Sequence, residues 1–78
     1  MEAVWKKVKS AIKQRIPDHS FKMWLEPLNL GQADRGNWVV YCPNFFSKKR
    51  VQGLYGEMIK KAIQHSTGQD CELKFEIS

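Results

Sequence analysis

Apolar residues near the start of the chain recur at helical spacing: Val4, Trp5, Val8, Ala11, Ile12 and Ile16 fill an arc of about 140° when successive residues are set about 100° apart. The pattern predicts one amphipathic helix from Glu2 to Ile16, with Val8 and Ile12 in the core. Trp5 lies at one edge of the arc, next to Lys9. An aromatic there either buries inward or, with Val4 and Lys9 beside it, leaves an apolar spot facing a partner.

Pro17 blocks continuation of that helix, and Asp18 or Ser20 is placed to cap a new one with a side-chain oxygen. Phe21, Trp24 and Leu25 then recur at i, i+3 and i+4, which predicts a short helix burying all three. Pro27 ends it, because it has no N–H and biases Glu26 toward extended backbone.

Beyond Pro27 the period changes from helix to strand. Leu28 and Leu30 alternate with polar residues, and Gly31 to Asn37 carries turn-forming Gly, Asp and Gly. Trp38 to Cys42 reads as a second strand, with Trp38, Val40 and Cys42 on one face and Val39 and Tyr41 on the other. Asn44 is a suitable N-cap for a long helix to about His65, with Val51, Leu54, Tyr55, Met58, Ile59, Ala62 and Ile63 on its apolar face and Gly68 as its stop. Gly53 and Gly56 inside it each cost about 1 kcal/mol relative to Ala, which calls for a local reason. Cys71, Leu73, Phe75 and Ile77 alternate with Glu72, Lys74 and Glu76 as a half-buried strand.

The expected class is α+β, in the order α-α-β-β-α-β, with a three-stranded sheet packed against helices. Strands two and three, joined through the long helix, suit a parallel pair. The predicted core comprises Val8, Ile12, Phe21, Trp24, Leu25, Val40, Val51, Tyr55, Met58, Leu73 and Phe75.

At 78 residues the chain makes one domain, too small for a deep active site. Its longest apolar run, Trp38 to Cys42, is far short of a bilayer span, and lysines interrupt every candidate signal-peptide core. A cytoplasmic location follows as the expectation, with Cys42 and Cys71 as buried reduced thiols. The net charge of +5 is spread over three stretches, Lys6 to Arg15, Lys48 to Arg50 and Lys60 to Lys61. Lys6, Lys9 and Lys13, at i, i+3 and i+7, form one basic stripe, either a solvated face or a site for weak binding of single-stranded DNA.

Catalytic patterns fail on geometry. Asp18, His19 and Ser20 are the residue types of a hydrolase triad, but three consecutive residues do not direct their side chains into one relay. His65 near a helix C-terminus suits the helix dipole. Two Cys and two His show no metal-ligand spacing, so neither a metal nor any other cofactor is expected, and the chain does not read as an enzyme. Gly53-Leu54-Tyr55-Gly56 matches the G-x-x-G of nucleic-acid-binding KH domains, but its central residues are apolar and it falls inside a periodic helix.

Phe46 stands apart. Counted from Asn44, it lies about 160° from the core face of the long helix, among Lys49, Arg50 and Glu57. Gly53, further along the same side, leaves backbone bare beside it. An outward ring there is a candidate partner-binding anchor. The alternative is a hydrophobic lid folded back on the preceding strand, a role for which Phe45 is better placed.

Together, Trp5, the Ser20-Phe21-x-x-Trp24-x-x-Pro27-Leu28 segment, Pro43-Asn44-x-Phe46, Val51, Tyr55 and the closing Glu72-Leu73-x-Phe75 strand resemble the N-terminal domain (domain I) of the bacterial replication initiators of the DnaA family. The resemblance covers nearly the whole chain. It implies a KH-like, non-catalytic domain spanning residues 1–78 that self-associates, helps load the replicative helicase DnaB and receives species-specific initiation regulators. It also implies that Trp5 serves self-association and that Phe46 faces the helicase. Ser20 stands where the best-known members carry an acidic residue for that contact, with Asp18 close by. No P-loop pattern occurs in these residues, so the expectation is an excised domain of a longer initiator or a truncated relative. The competing reading is a KH-like module that binds single-stranded nucleic acid.

Overall fold

The computed structural model describes residues 2–78. Helix α1 runs Glu2–Lys13 and buries Val8 and Ile12 completely. It stops short of the predicted Ile16 because Pro17 disfavours helical backbone in the residue before it; Arg15 N–H closes the last turn on the Ile12 carbonyl at 2.9 Å.

The second helix, α2, opens as Asp18–Ser20 and continues as a π-helical turn over Phe21–Leu25. Glu26 N–H donates to the Phe21 carbonyl at 2.9 Å, an i→i+5 bond that adds a residue to the turn. That extra residue corrects the expected face: Phe21 and Leu25 are buried, whereas Trp24 is rotated to the rim of the core. Neither Asp18 nor Ser20 caps this helix; Pro17 occupies the cap position and no side-chain cap bond forms.

Strand β1, Asn29–Gln32, pairs antiparallel with β2, Trp38–Cys42, and β2 pairs parallel with β3, Leu73–Ile77, giving the order β1-β2-β3. Gly31, expected in the loop, is part of β1. A β-carbon there would stand 2.8 Å from Tyr41 Cε2, so the glycine lets the tyrosine ring lie across the strand, beside the buried Val39. The hairpin loop places Arg35 (φ 60°) and Gly36 (φ 77°) in left-handed backbone.

Helix α3, Phe45–Thr67, connects β2 to β3 and packs on α1 and the sheet. The Asn44 side chain accepts from Ser47 N–H at 2.7 Å, and Gly68, in left-handed backbone, donates to the Gln64 carbonyl at 2.8 Å. Gly56 faces the Phe75 ring, its absent β-carbon 3.6 Å from Phe75 Cζ, so the strand passes close to the helix.

Val8, Ile12, Phe21, Leu25, Val40 and Val51 form the buried centre with Leu28, Trp38, Ile59 and Ile63. Trp24, Tyr55, Met58, Leu73 and Phe75 lie at its margin rather than in it, and Ala11 and Leu54, expected inward, are exposed. Both thiols are buried, Cys71 just ahead of β3 rather than within it, and burial pushes the pKa of each upward. Among the described residues no helix is long and apolar enough to cross a membrane.

Candidate functional site

The Asn44 cap fixes where α3 begins, and that decides the direction of its first side chains. The buried row of the helix starts at Ser47 and Val51, so Phe45 and Phe46, one and two positions past the cap, fall outside it. Phe46 is 68% exposed and Phe45 63% exposed; neither closes over the sheet as a lid.

Phe46 is nonetheless held. Its ring centroid lies 6.0 Å from that of Trp24, tilted by 56°, within the range of favourable edge-on aromatic contact. Arg50, one turn further along α3, sets its guanidinium carbon 5.3 Å from the Trp24 ring centroid. The π turn of α2 makes this possible, since it brings Trp24 to the rim where α3 starts. The resulting surface has an indole at its base, a phenyl ring standing out and a guanidinium on one side. Met23, next to Trp24 in sequence, is 60% exposed, and Lys49 lies 5.9 Å from the Phe45 ring centroid.

Gly53 continues the row from Phe46 and Arg50. Among the described residues, apart from its chain neighbours and the helix's own backbone, no atom lies within 4 Å of where its β-carbon would stand. Asp18 is tied to Lys22 one turn along, 3.8 Å between charged atoms, and Ser20 is half-buried. Trp24, Phe46 and Arg50 are therefore brought together, with Lys49 and Gly53 flanking. The participation of Trp24 was hidden in the sequence, because helical spacing assigned Trp24 to the core.

On α1, Trp5 packs against the core margin with its Nε1 buried and, among the described residues, without an acceptor. Val4 and Lys9 are half-buried beside it. Lys9 Nζ sits 5.3 Å from the Trp5 ring centroid and donates to the Glu26 carbonyl at 3.3 Å. Lys13 Nζ lies 5.8 Å from the Phe21 ring centroid. Two members of the basic stripe are thus engaged with their own rings, and Lys6 alone of the three is exposed without such a contact among the described residues. The G-x-x-G stretch lies within α3 and makes no loop with which to clamp a nucleic-acid backbone.

A family described as "DnaA N-terminal domain" matches residues 2–65. A chromosomal replication initiator protein DnaA from Desulfatibacillum aliphaticivorans is 31% identical over 78 residues, 100% of this chain and 17% of that protein. The protein of the same name from Francisella tularensis subsp. novicida is 30% identical over 71 residues, 91% of this chain and 14% of its own length. That from Citrifermentans bemidjiense is 28% identical over 78 residues, again 17% of its length. The chain thus spans about one sixth of the curated relatives it matches. With most of its residues matched in sequence order, the chain belongs to the DnaA N-terminal domain family.

Proposed function

We propose that this chain is a single, non-catalytic interaction domain of a replication initiator. In this reading it docks the replicative helicase DnaB and initiation regulators on the Phe46 surface, and it self-associates through Trp5, Val4 and Lys9. It acts in the cytoplasm and needs no cofactor or metal. The observation that carries the reading is the Trp24–Phe46–Arg50 cluster, in which an aromatic ring is positioned by its neighbours yet stays 68% exposed. Such a ring contributes little to the fold, whereas at an interface it loses little conformational freedom on binding. Lys49, Arg50 and Gly53 flank the anchor, with Ser20 and Asp18 as the polar groups on α2. Single-stranded DNA on Lys6, Lys9 and Lys13 takes a minor part, because two of these lysines already lie over aromatic rings.

Truncation of a central interface aromatic commonly costs about 2 kcal/mol or more, roughly 30-fold in affinity. Phe46→Ala should lower affinity for the helicase by that factor in surface plasmon resonance, with the melting temperature changed by no more than a few degrees. A large fall in melting temperature with binding retained would place Phe46 in the fold and the helicase contact elsewhere.

A further inference from the structure

The first turns of α3 carry charge where the helix itself opposes it. An α-helix presents the positive end of its dipole at the N-terminus, so acids stabilise the first turn and cations do not. In α3 the first turn holds no acid, and Lys48, Lys49 and Arg50 follow at once. Among the described residues the ion pairs are Lys22–Asp18 and Lys60–Glu72, so none of these three cations has a carboxylate within pairing distance. The next acid along α3 is Glu57, two turns beyond Arg50, and Asp18 is already tied to Lys22.

Two of these cations border the exposed aromatics rather than lying apart from them. Lys49 sits beside Phe45, and Arg50 rests on Trp24 next to Phe46. Lys49 and Arg50 are exposed, so neither charge serves the core. An apolar anchor with an uncompensated basic collar is complementary to an anionic partner carrying an apolar seat. Resting on the docking reading above, we infer that the partner face seated on Phe46 is an acidic protein segment, its carboxylates meeting Lys49 and Arg50 around an apolar pocket for the phenyl ring. A protein is favoured over a nucleic acid because Trp24 carries Arg50 and Phe45 carries Lys49, which among the described residues leaves Phe46 as the single ring of the patch free of a cation, whereas a nucleic-acid strand calls for successive rings on which bases stack.

Three probes titrated into the isotope-labelled 78-residue chain test this: a short Asp/Glu-rich peptide with a central Leu-Phe, the same peptide with Asn/Gln for every acid, and oligothymidylate. The acidic peptide should shift the amides of residues 45–50 and the Trp24 indole, and the neutral peptide should not. Lys49→Glu should weaken the acidic peptide about tenfold or more, while its melting temperature stays level or rises, since an acid suits that end of the helix. Arg50→Lys, which keeps the charge, should retain most of the binding. Equal binding of the neutral peptide, tighter binding of oligothymidylate at the same amides, or an unchanged affinity of Lys49→Glu would each overturn the inference. Binding to the helicase separates the two readings. If Phe46→Ala abolishes its binding but Lys49→Glu does not, docking stands and the acidic partner falls. If Lys49→Glu loses the acidic peptide while Phe46→Ala leaves helicase binding intact, the acidic partner stands and the helicase is not it.

Discussion

Arg35 adopts left-handed backbone, φ 60° and ψ 38°, in the β1–β2 loop. A residue with a β-carbon is strained there by about 1 kcal/mol, and glycine is not. Arg35→Gly should therefore raise the melting temperature by a few degrees in calorimetry; a decrease would mean that the arginine side chain makes a stabilising contact. Gly53 presents the opposite case, since its β-carbon would meet open space. Gly53→Ala should stabilise α3 by about 0.5–1 kcal/mol. If the bare backbone serves docking, the same variant should bind the helicase less well, and a more stable variant with unaltered binding would make Gly53 a bystander. Trp5 was ambiguous in the sequence; it packs on the core margin beside Lys9, and among the described residues its indole N–H has no acceptor. Trp5→Phe removes that unsatisfied donor and keeps most of the ring. It should hold the melting temperature within a few degrees, whereas Trp5→Ala should lower it measurably. The outward direction of Phe46 was legible because a side-chain cap and a buried row fix the phase of a helix. The position of Trp24 was not, because a π turn leaves no mark in a 3.6-residue pattern.

At the level of elements, α3 depends most visibly on its start. Asn44→Ala removes the bond to Ser47 N–H and should cost about 1 kcal/mol, or about 4–8 °C in melting temperature for a domain of this size. Asn44→Asp keeps the acceptor and adds a negative charge where the helix dipole favours one, so it should melt at or above the parent. If both variants melt alike, the cap bond contributes nothing. Caps, prolines and the Gly68 stop made the elements legible to within a few residues. The departures have local causes: Pro17 ends α1 three residues early, and Gly31, lacking a β-carbon that would crowd the Tyr41 ring, pairs with Val39 as part of β1 rather than of the loop. The surface cluster belongs to no single element. It needs the end of α2 against the start of α3, a contact between segments about twenty residues apart that periodicity does not encode.

For the whole molecule, the buried thiols set an alkaline limit. Folded Cys42 and Cys71 have pKa values raised by burial above the ordinary 9.0, so the folded state keeps protons that the unfolded state releases. Stability should be intact below about pH 9 and decline as the pH climbs through the raised values. Urea midpoints measured across that range should fall in the parent and fall less in a Cys42→Ala/Cys71→Ala variant, once each is referred to its own neutral-pH value. In the folded protein both thiols should resist a thiol reagent at neutral pH. The sheet has a different consequence, which concerns how it opens. Strand β3 lies at an edge, joins β2 only across the whole of α3, and leaves Ile77 exposed with Leu73 and Phe75 half-buried. As an edge strand paired on one side only, it should open in native-state hydrogen exchange at lower free energy than β2 or central α3. When it detaches, it bares the edge of β2, onto which only a strand of matching register fits. A second copy of the chain carries that strand, so at high concentration the accident to which this fold is prone is an exchange of β3 between molecules.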